Sequence, residues 1–201
     1  KRWWNTLDHL EDVCYSYEEQ VERWREIFLD AVKIRMRSDV RIGTALSGGL
    51  DSSAIFSAMN HLSNQNTKND RQATDWQHGF CAHYPESSLD EVKWARIIAD
   101  SAKTPLHEVK INPLDCGWSI KEALYQVEDP YITLPLPMLA TYRAISNYGI
   151  KVTLDGHGAD ELFSGYSSTL ESAFLSSNVK ETGELVSIID SITSGQYKKF
   201  N

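Results

Sequence analysis

Cysteine is scarce in this chain of 201 residues: Cys14, Cys81 and Cys116 stand far apart and in odd number. That excludes a disulfide framework, and the lack of any Cys-x-x-Cys pair argues against a zinc site. No apolar run approaches the ~18 residues of a membrane span, and Lys1-Arg2-Trp3-Trp4 does not lead into a signal-peptide core. Basic charge is also short. Twenty Lys and Arg against 28 Asp and Glu leave a net charge of −8, which argues against non-specific nucleic-acid binding. The expectation is a cytoplasmic protein in a reducing compartment, with neither membrane nor nucleic acid as partner. Hydrophobic content of 41% and charged content of 24% are ordinary for a globular domain, with or without an appendage at this length.

What is present is concentrated in two turns. Residues 46–53 read Leu-Ser-Gly-Gly-Leu-Asp-Ser-Ser and follow the apolar stretch Ile42-Gly43-Thr44-Ala45. This is the pattern of a strand, a glycine-hydroxyl turn and a helix. Gly48 and Gly49 let the backbone approach an anion. A helix starting near Asp51 offers unpaired N–H groups and the positive end of its dipole. Ser47, Ser52 and Ser53 add hydroxyl donors, and Asp51 can carry a metal ion that offsets phosphate charge. The turn lacks the lysine of Gly-x-x-x-x-Gly-Lys-Ser/Thr and the spacing of Gly-x-Gly-x-x-Gly. A plain strand-to-helix connection would need small residues, but not two glycines, three serines and an acid together.

Around it the chain alternates. The periodicity predicts a helix over 17–37 with Val21, Trp24, Phe28, Ala31 and Ile34 on one face, and Arg35 and Arg37 in its last turn. Strands are predicted at 41–46, 79–84, 106–111 and 150–154. Helices are predicted at 52–62, 89–102, 119–127 and 137–147, with Trp94 among the inward positions of the second. Residues 63–76 read as a polar surface loop, and the prolines after Glu128-Asp129 as an extended path. Such alternation implies α/β architecture, a parallel sheet with helices on both faces. Ligands then bind at the carboxyl ends of the strands.

The second turn, Asp155-Gly156-His157-Gly158-Ala159-Asp160-Glu161, follows the last strand. Carboxylates beside a phosphate-binding turn make chemical sense with a divalent cation between them, and oxygen ligands favour Mg²⁺. The bland alternative for Asp160 and Glu161 is acidic charge at a helix N-terminus.

The first turn resembles the pyrophosphatase loop of the ATP pyrophosphatase superfamily, whose members cleave ATP between its α and β phosphates. Ser-Gly-Gly-Leu-Asp-Ser-Ser followed by Gly-x-Gly-Ala-Asp-Glu-Leu-Phe-x-Gly-Tyr is similar to the synthetase domain of glutamine-dependent asparagine synthetases and their relatives. Ala31–Ser53, Asp90-Glu91 with Ala95 and Ala99, His107-Glu108-Val109 and Glu128-Asp129-Pro130-Tyr131 agree with that family's pattern. The resemblance runs from about residue 1 to 170. It implies a three-layer, doubly wound parallel sheet of the adenine nucleotide alpha hydrolase-like, PP-loop ATPase type. It further implies ATP and Mg²⁺ as cofactors, a small-molecule carboxylate as substrate, ammonia from a glutaminase domain, and a homodimer in a full-length protein.

Carried over by motif, Leu46, Ser47, Gly48, Gly49, Asp51, Ser52 and Ser53 would hold ATP phosphates and Mg²⁺. Ala82 would meet adenine through its backbone, and Asp155 and Gly156 would line the adenylate pocket. Asp51 and Asp160 would share the metal. The family's catalytic glutamate in Gly-Glu-Gly is replaced here by His157, and Asp155 stands where serine is usual. β-Lactam-forming relatives place tyrosine at the glutamate position, so His157 is the candidate base or pocket-shaping residue and leaves the acceptor open. Residues 1–40 are expected to be the linker and lead-in helix from a glutaminase half. Residues 41–170 would be the ATP-binding synthetase domain. Residues 171–201 would begin a helical C-terminal part, without the second acid and lysine that the family carries near the α-phosphate.

Overall fold

In the computed structural model the described residues are 2–9, 15–65, 75–112, 120–128, 136–163 and 165–176, with Gly183 and Val186. The chain divides into two units, Lys1–Gly156 and His157–Asn201. Among its described residues the first contains four parallel strands: β1 (Ile42–Ala45), β2 (Gln77–His83), β3 (Leu106–Lys110) and β4 (Val152–Thr153). Its helices are α1 (Tyr17–Arg35), α2 (Leu50–Gln65), α3 (Val92–Ala102), α4 (Ile120–Val127) and α5 (Leu136–Asn147), after a short 3-10 turn at Thr6–His9. The second unit contains α6 (Ala159–Phe163) and α7 (Ser167–Ser176).

The strand order is β3-β2-β1-β4. The chain builds outward from β1 to β3, then returns to add β4 on the other side of β1. Every pairing is parallel, with Ile42 opposite both Gln77 and Val152. The reversal of strand order lies between β1 and β4, the point outside whose carboxyl ends sheets of this kind bind ligands.

Side chains alternate across the sheet, as strand geometry requires. On one face Leu46, Phe56, Cys81, Val92, Ala95 and Ala99 pack together, and Ile42 joins Val32, Ala58, Met59 and Leu62. On the other, Phe80 packs with Ile145 of α5 and Ile150. Helices thus cover both faces, which is why β1 and β2 are buried nearly throughout. Phe56 is fully buried, a burial worth about 2–3 kcal/mol. Behind Phe80, His78 is buried, with Nδ1 3.0 Å from His107 Nε2 and Nε2 2.8 Å from the Asp75 carbonyl.

Some local expectations are corrected. Helix α1 opens on a capping box between Ser16 and Glu19 but ends at Arg35, so Arg37 lies beyond it. Val21, Trp24 and Ile34 are about half exposed, and Val32 is the residue buried against α2. Helix α3 begins at Val92 rather than residue 89, because the Asp90 carboxylate accepts from Tyr84 N–H (3.3 Å), Val92 N–H (3.4 Å) and pairs with His83 Nδ1 (3.0 Å). Trp94 is 52% exposed and not part of the core. Strand β4 has two residues instead of five. Among the earlier expectations, Cys14, Cys116, most of the 63–76 loop, Asp129–Pro135 and nearly all of 177–201 lie outside the described residues.

Candidate functional site

The first unit gathers ten of the predicted residues at the carboxyl edge of its sheet. Leu46 continues β1, its N–H donating to the Phe80 carbonyl of β2 at 2.8 Å. The loop then turns on a small hydrogen-bond set. Gly49 N–H donates to Ser47 Oγ (3.1 Å), Ser47 Oγ lies 3.0 Å from Ser52 Oγ, and Ser52 Oγ donates to the Gly49 carbonyl (3.3 Å). Two of the three serines therefore brace the turn itself. Ser53 Oγ is buried and has no partner among the described residues. The first helical bond of α2 runs from Ser53 N–H to the Gly49 carbonyl (3.1 Å). The N–H groups of Leu50, Asp51 and Ser52 thus precede the helical ladder, as at any helix start.

Glycine is required here for packing as well as for approach. Gly48 has φ +83°, and a Cβ on it would stand 2.5 Å from both Ala95 N and Trp94 Cβ at the start of α3. Gly156 lies against the same loop from the β4 side. A Cβ there would come within 2.7 Å of Asp51 C and Ser52 N. The two turns of the sequence are therefore in backbone contact up to Gly156.

Asp155 joins the strands. Its Oδ1 accepts from Ala45 N–H at 2.6 Å and its Oδ2 from the Tyr142 hydroxyl at 2.8 Å. Burial, then the hydrogen bond to Asp155, push the Tyr142 hydroxyl well above the ordinary tyrosine range, so it remains a donor. Thr44 Oγ1 adds a 3.0 Å bond to the Leu154 carbonyl. Sequence reasoning missed Tyr142, which stands 13 residues before Asp155 with no motif to mark it. Thr44 carried a signal, as a hydroxyl inside an apolar strand.

Ala82 sits near the carboxyl end of β2, paired with Val109. Beside it, burial pushes the Cys81 thiol up to about 12, with Glu91 and Asp90 adding to the effect. That thiol is inert at neutral pH.

In the second unit Gly158 has φ +96° and starts α6, Leu162 N–H donating to its carbonyl at 3.2 Å. His157 and Glu161 are exposed, and Glu161 Oε1 accepts from the Tyr166 hydroxyl at 3.1 Å. Gly165 lies directly against the Asp160 carboxylate and donates its N–H to the Asp160 carbonyl at 2.9 Å. Among the described residues no three His, Cys, Asp or Glu side chains converge as a metal site. The Asp51 and Asp160 carboxylates carry no hydrogen bond or ion pair among the described residues. A lone carboxylate such as that of Asp51 has the chemistry for a cation that takes most of its shell from phosphate oxygens and water, as Mg²⁺ does.

A parallel sheet whose switch point carries a glycine-serine-acid turn defines an α/β protein of the PP-loop type. The asparagine synthase family model matches residues 23–198, and the chain belongs to that family. It is 37% identical to an asparagine synthetase [glutamine-hydrolyzing] of Zea mays over 169 residues, covering 83% of this chain and 28% of that protein. It is 31% identical to a probable asparagine synthetase of Dictyostelium discoideum, covering 81% and 30%. It is 34% identical to the amidase chyE of Penicillium rubens, covering 79% and 24%. The chain thus spans under a third of the length of these relatives.

Proposed function

We propose that this chain is the ATP-binding part of an amide-forming ligase that adenylates a carboxylate and passes it to ammonia derived from glutamine. The single observation carrying this reading is the 46–53 turn at the switch point of a sheet in an asparagine synthase family chain. The N–H groups of Leu50, Asp51 and Ser52, with Gly49 approaching closely, would face the phosphates of ATP. The buried Ser53 hydroxyl, otherwise unmet, would gain a phosphate oxygen as partner. Ser47 and Ser52 would hold the turn in shape. The Ala82 backbone would receive adenine, and Leu46 and Gly156 would border the adenylate.

Asp51 and Asp160 are the residues that would hold Mg²⁺, which offsets charge on the departing pyrophosphate. What the chain itself supplies is positioning and electrostatic complementarity to the phosphates. His157 is assigned to the acceptor side. Its imidazole is chemically able to serve as a base toward an attacking amine. It cannot imitate a carboxylate's attraction for a cationic amine.

That last difference favours a second reading, in which the acceptor is a carboxylate other than aspartate. An amidase among the relatives fits such breadth. A nucleotide-binding domain without catalysis is the third outcome. Cytoplasmic location, a glutaminase partner domain and a homodimer complete the proposal. The test is amine-dependent pyrophosphate release by the full-length protein over a panel of carboxylates. Release with aspartate supports the first reading, release with another acid alone supports the second, and no release with any acid contradicts both.

A further inference from the structure

We infer that Asp155 is a positioning residue whose carboxylate extends the β1–β4 ladder beyond β4 and thereby fixes the entry to the 46–53 turn. Only the nucleotide arm of its test rests on the proposed function.

Strand β4 pairs with β1 at just two positions, Ile42↔Val152 and Gly43↔Thr153. The last backbone bond between them is Leu154 N–H to the Gly43 carbonyl at 3.0 Å. Beyond it the β4 chain leaves the sheet, while β1 still has one N–H facing that side, on Ala45. In a longer ladder a strand carbonyl would receive it. Here Asp155 Oδ1 does so, at 2.6 Å. The next N–H of the chain, on Leu46, points the other way and donates to Phe80 of β2 at 2.8 Å. Ala45 is therefore the last point at which the β4 side can hold the strand before the turn begins.

The second carboxylate oxygen is anchored separately. Tyr142 on α5 donates its hydroxyl to Oδ2 at 2.8 Å, so the carboxylate is fixed from two directions by charge-assisted bonds. Tyr142 reaches the carboxylate through this hydroxyl, while its ring packs against the Phe80, Ile145 and Ile150 cluster. On the other side, Gly156 abuts the Asp51–Ser52 backbone closely enough to admit no Cβ. One residue thus grips the strand before the turn, and its neighbour presses on the helix start after it. A serine at this place has a single oxygen and could not reach both Ala45 N–H and Tyr142. Asp155 and Tyr142 form one device, in which Asp155 makes the contact with the strand and Tyr142 steadies it.

The test uses full-length protein carrying Tyr142→Phe, Asp155→Asn, Asp155→Ala, and Tyr142→Phe combined with Asp155→Ala. Amide hydrogen exchange over residues 42–53 is read without nucleotide, and binding of a fluorescent ATP analogue is read at several Mg²⁺ concentrations. Asp155→Ala is expected to speed exchange at Ala45 and the turn about tenfold and to weaken the analogue by a similar factor. Asp155→Asn keeps an acceptor for Ala45 and should recover most of both effects. Tyr142→Phe should give an intermediate loss, the combined variant no more than Asp155→Ala alone, and the Mg²⁺ midpoint should stay fixed. Unchanged exchange in Asp155→Ala overturns the inference. So do a shifted Mg²⁺ midpoint with no recovery in Asp155→Asn, which mark a direct ligand. A wild-type protein that binds no analogue sinks the proposed function instead, and the exchange result still decides this inference.

Discussion

The two glycine-acid turns look alike in sequence and are built on different terms. The 46–53 turn is over-determined. Gly48 is pressed against Trp94 and Ala95, Gly156 closes on Asp51 and Ser52, and two serines bond within the loop. In the 157–161 turn, Gly158 has nothing within 4 Å of an added Cβ, and His157 and Glu161 are exposed. In the first turn residue type is dictated by the fold, so its shape cannot drift while the sheet persists. In the second, the fold leaves side chains open to be chosen by chemistry. A histidine in place of an acid is tolerable there for that reason.

The contrast is broken most forcefully at Gly48. Gly48→Ala combines a left-handed φ with a clash against backbone, and should destabilise the protein by about 3 kcal/mol. Gly158→Ala faces open space and should lose about 1 kcal/mol, from its φ alone. Urea unfolding of both variants checks the ordering, and equal losses would show that the two turns are equally constrained. Gly156→Ala falls between them, at about 2 kcal/mol, since its neighbours are backbone atoms that cannot swing aside.

A smaller effect sharpens the view of the sheet's other face. Burial, then repulsion from His78, lowers the His107 pKa below its ordinary 6.5. The fold therefore favours the neutral ring. That stabilisation is complete above about 6.5 and is lost as pH falls from there through the folded value. The unfolding midpoint should drop between pH 7 and pH 5, and drop less in His107→Gln. Equal slopes would remove His107 from the account. Smallest of all, His157→Ala should change stability by no more than about 0.5 kcal/mol, as an exposed residue. Any change in carboxylate preference would then be chemical rather than structural.

Much of this was legible beforehand because it rests on local patterns. The alternation of apolar runs foretold four parallel strands and helices on both faces, and the glycine-serine-acid cluster marked the turn that lies at the switch point. The shortfalls have physical causes. Strand β4 is short because Thr44 and Asp155 side chains replace strand bonds, which no period-2 pattern encodes. The α3 boundary moved because Asp90 spends its carboxylate on the preceding loop. The apolar positions of α1 follow helical spacing, yet spacing alone does not say whether a partner covers them. Tyr142 bonds Asp155 through tertiary packing of α5, and that contact has no trace in either segment alone.

The 46–53 turn is proposed to drive adenylation of a carboxylate. Isotope exchange between pyrophosphate and ATP, in the full-length protein with Mg²⁺ and the accepted carboxylate, tests it most directly. Exchange that depends on the carboxylate and is abolished by Asp51→Asn is the predicted result. Exchange unchanged by Asp51→Asn, or turnover of ATP to ADP and phosphate in its place, would contradict it.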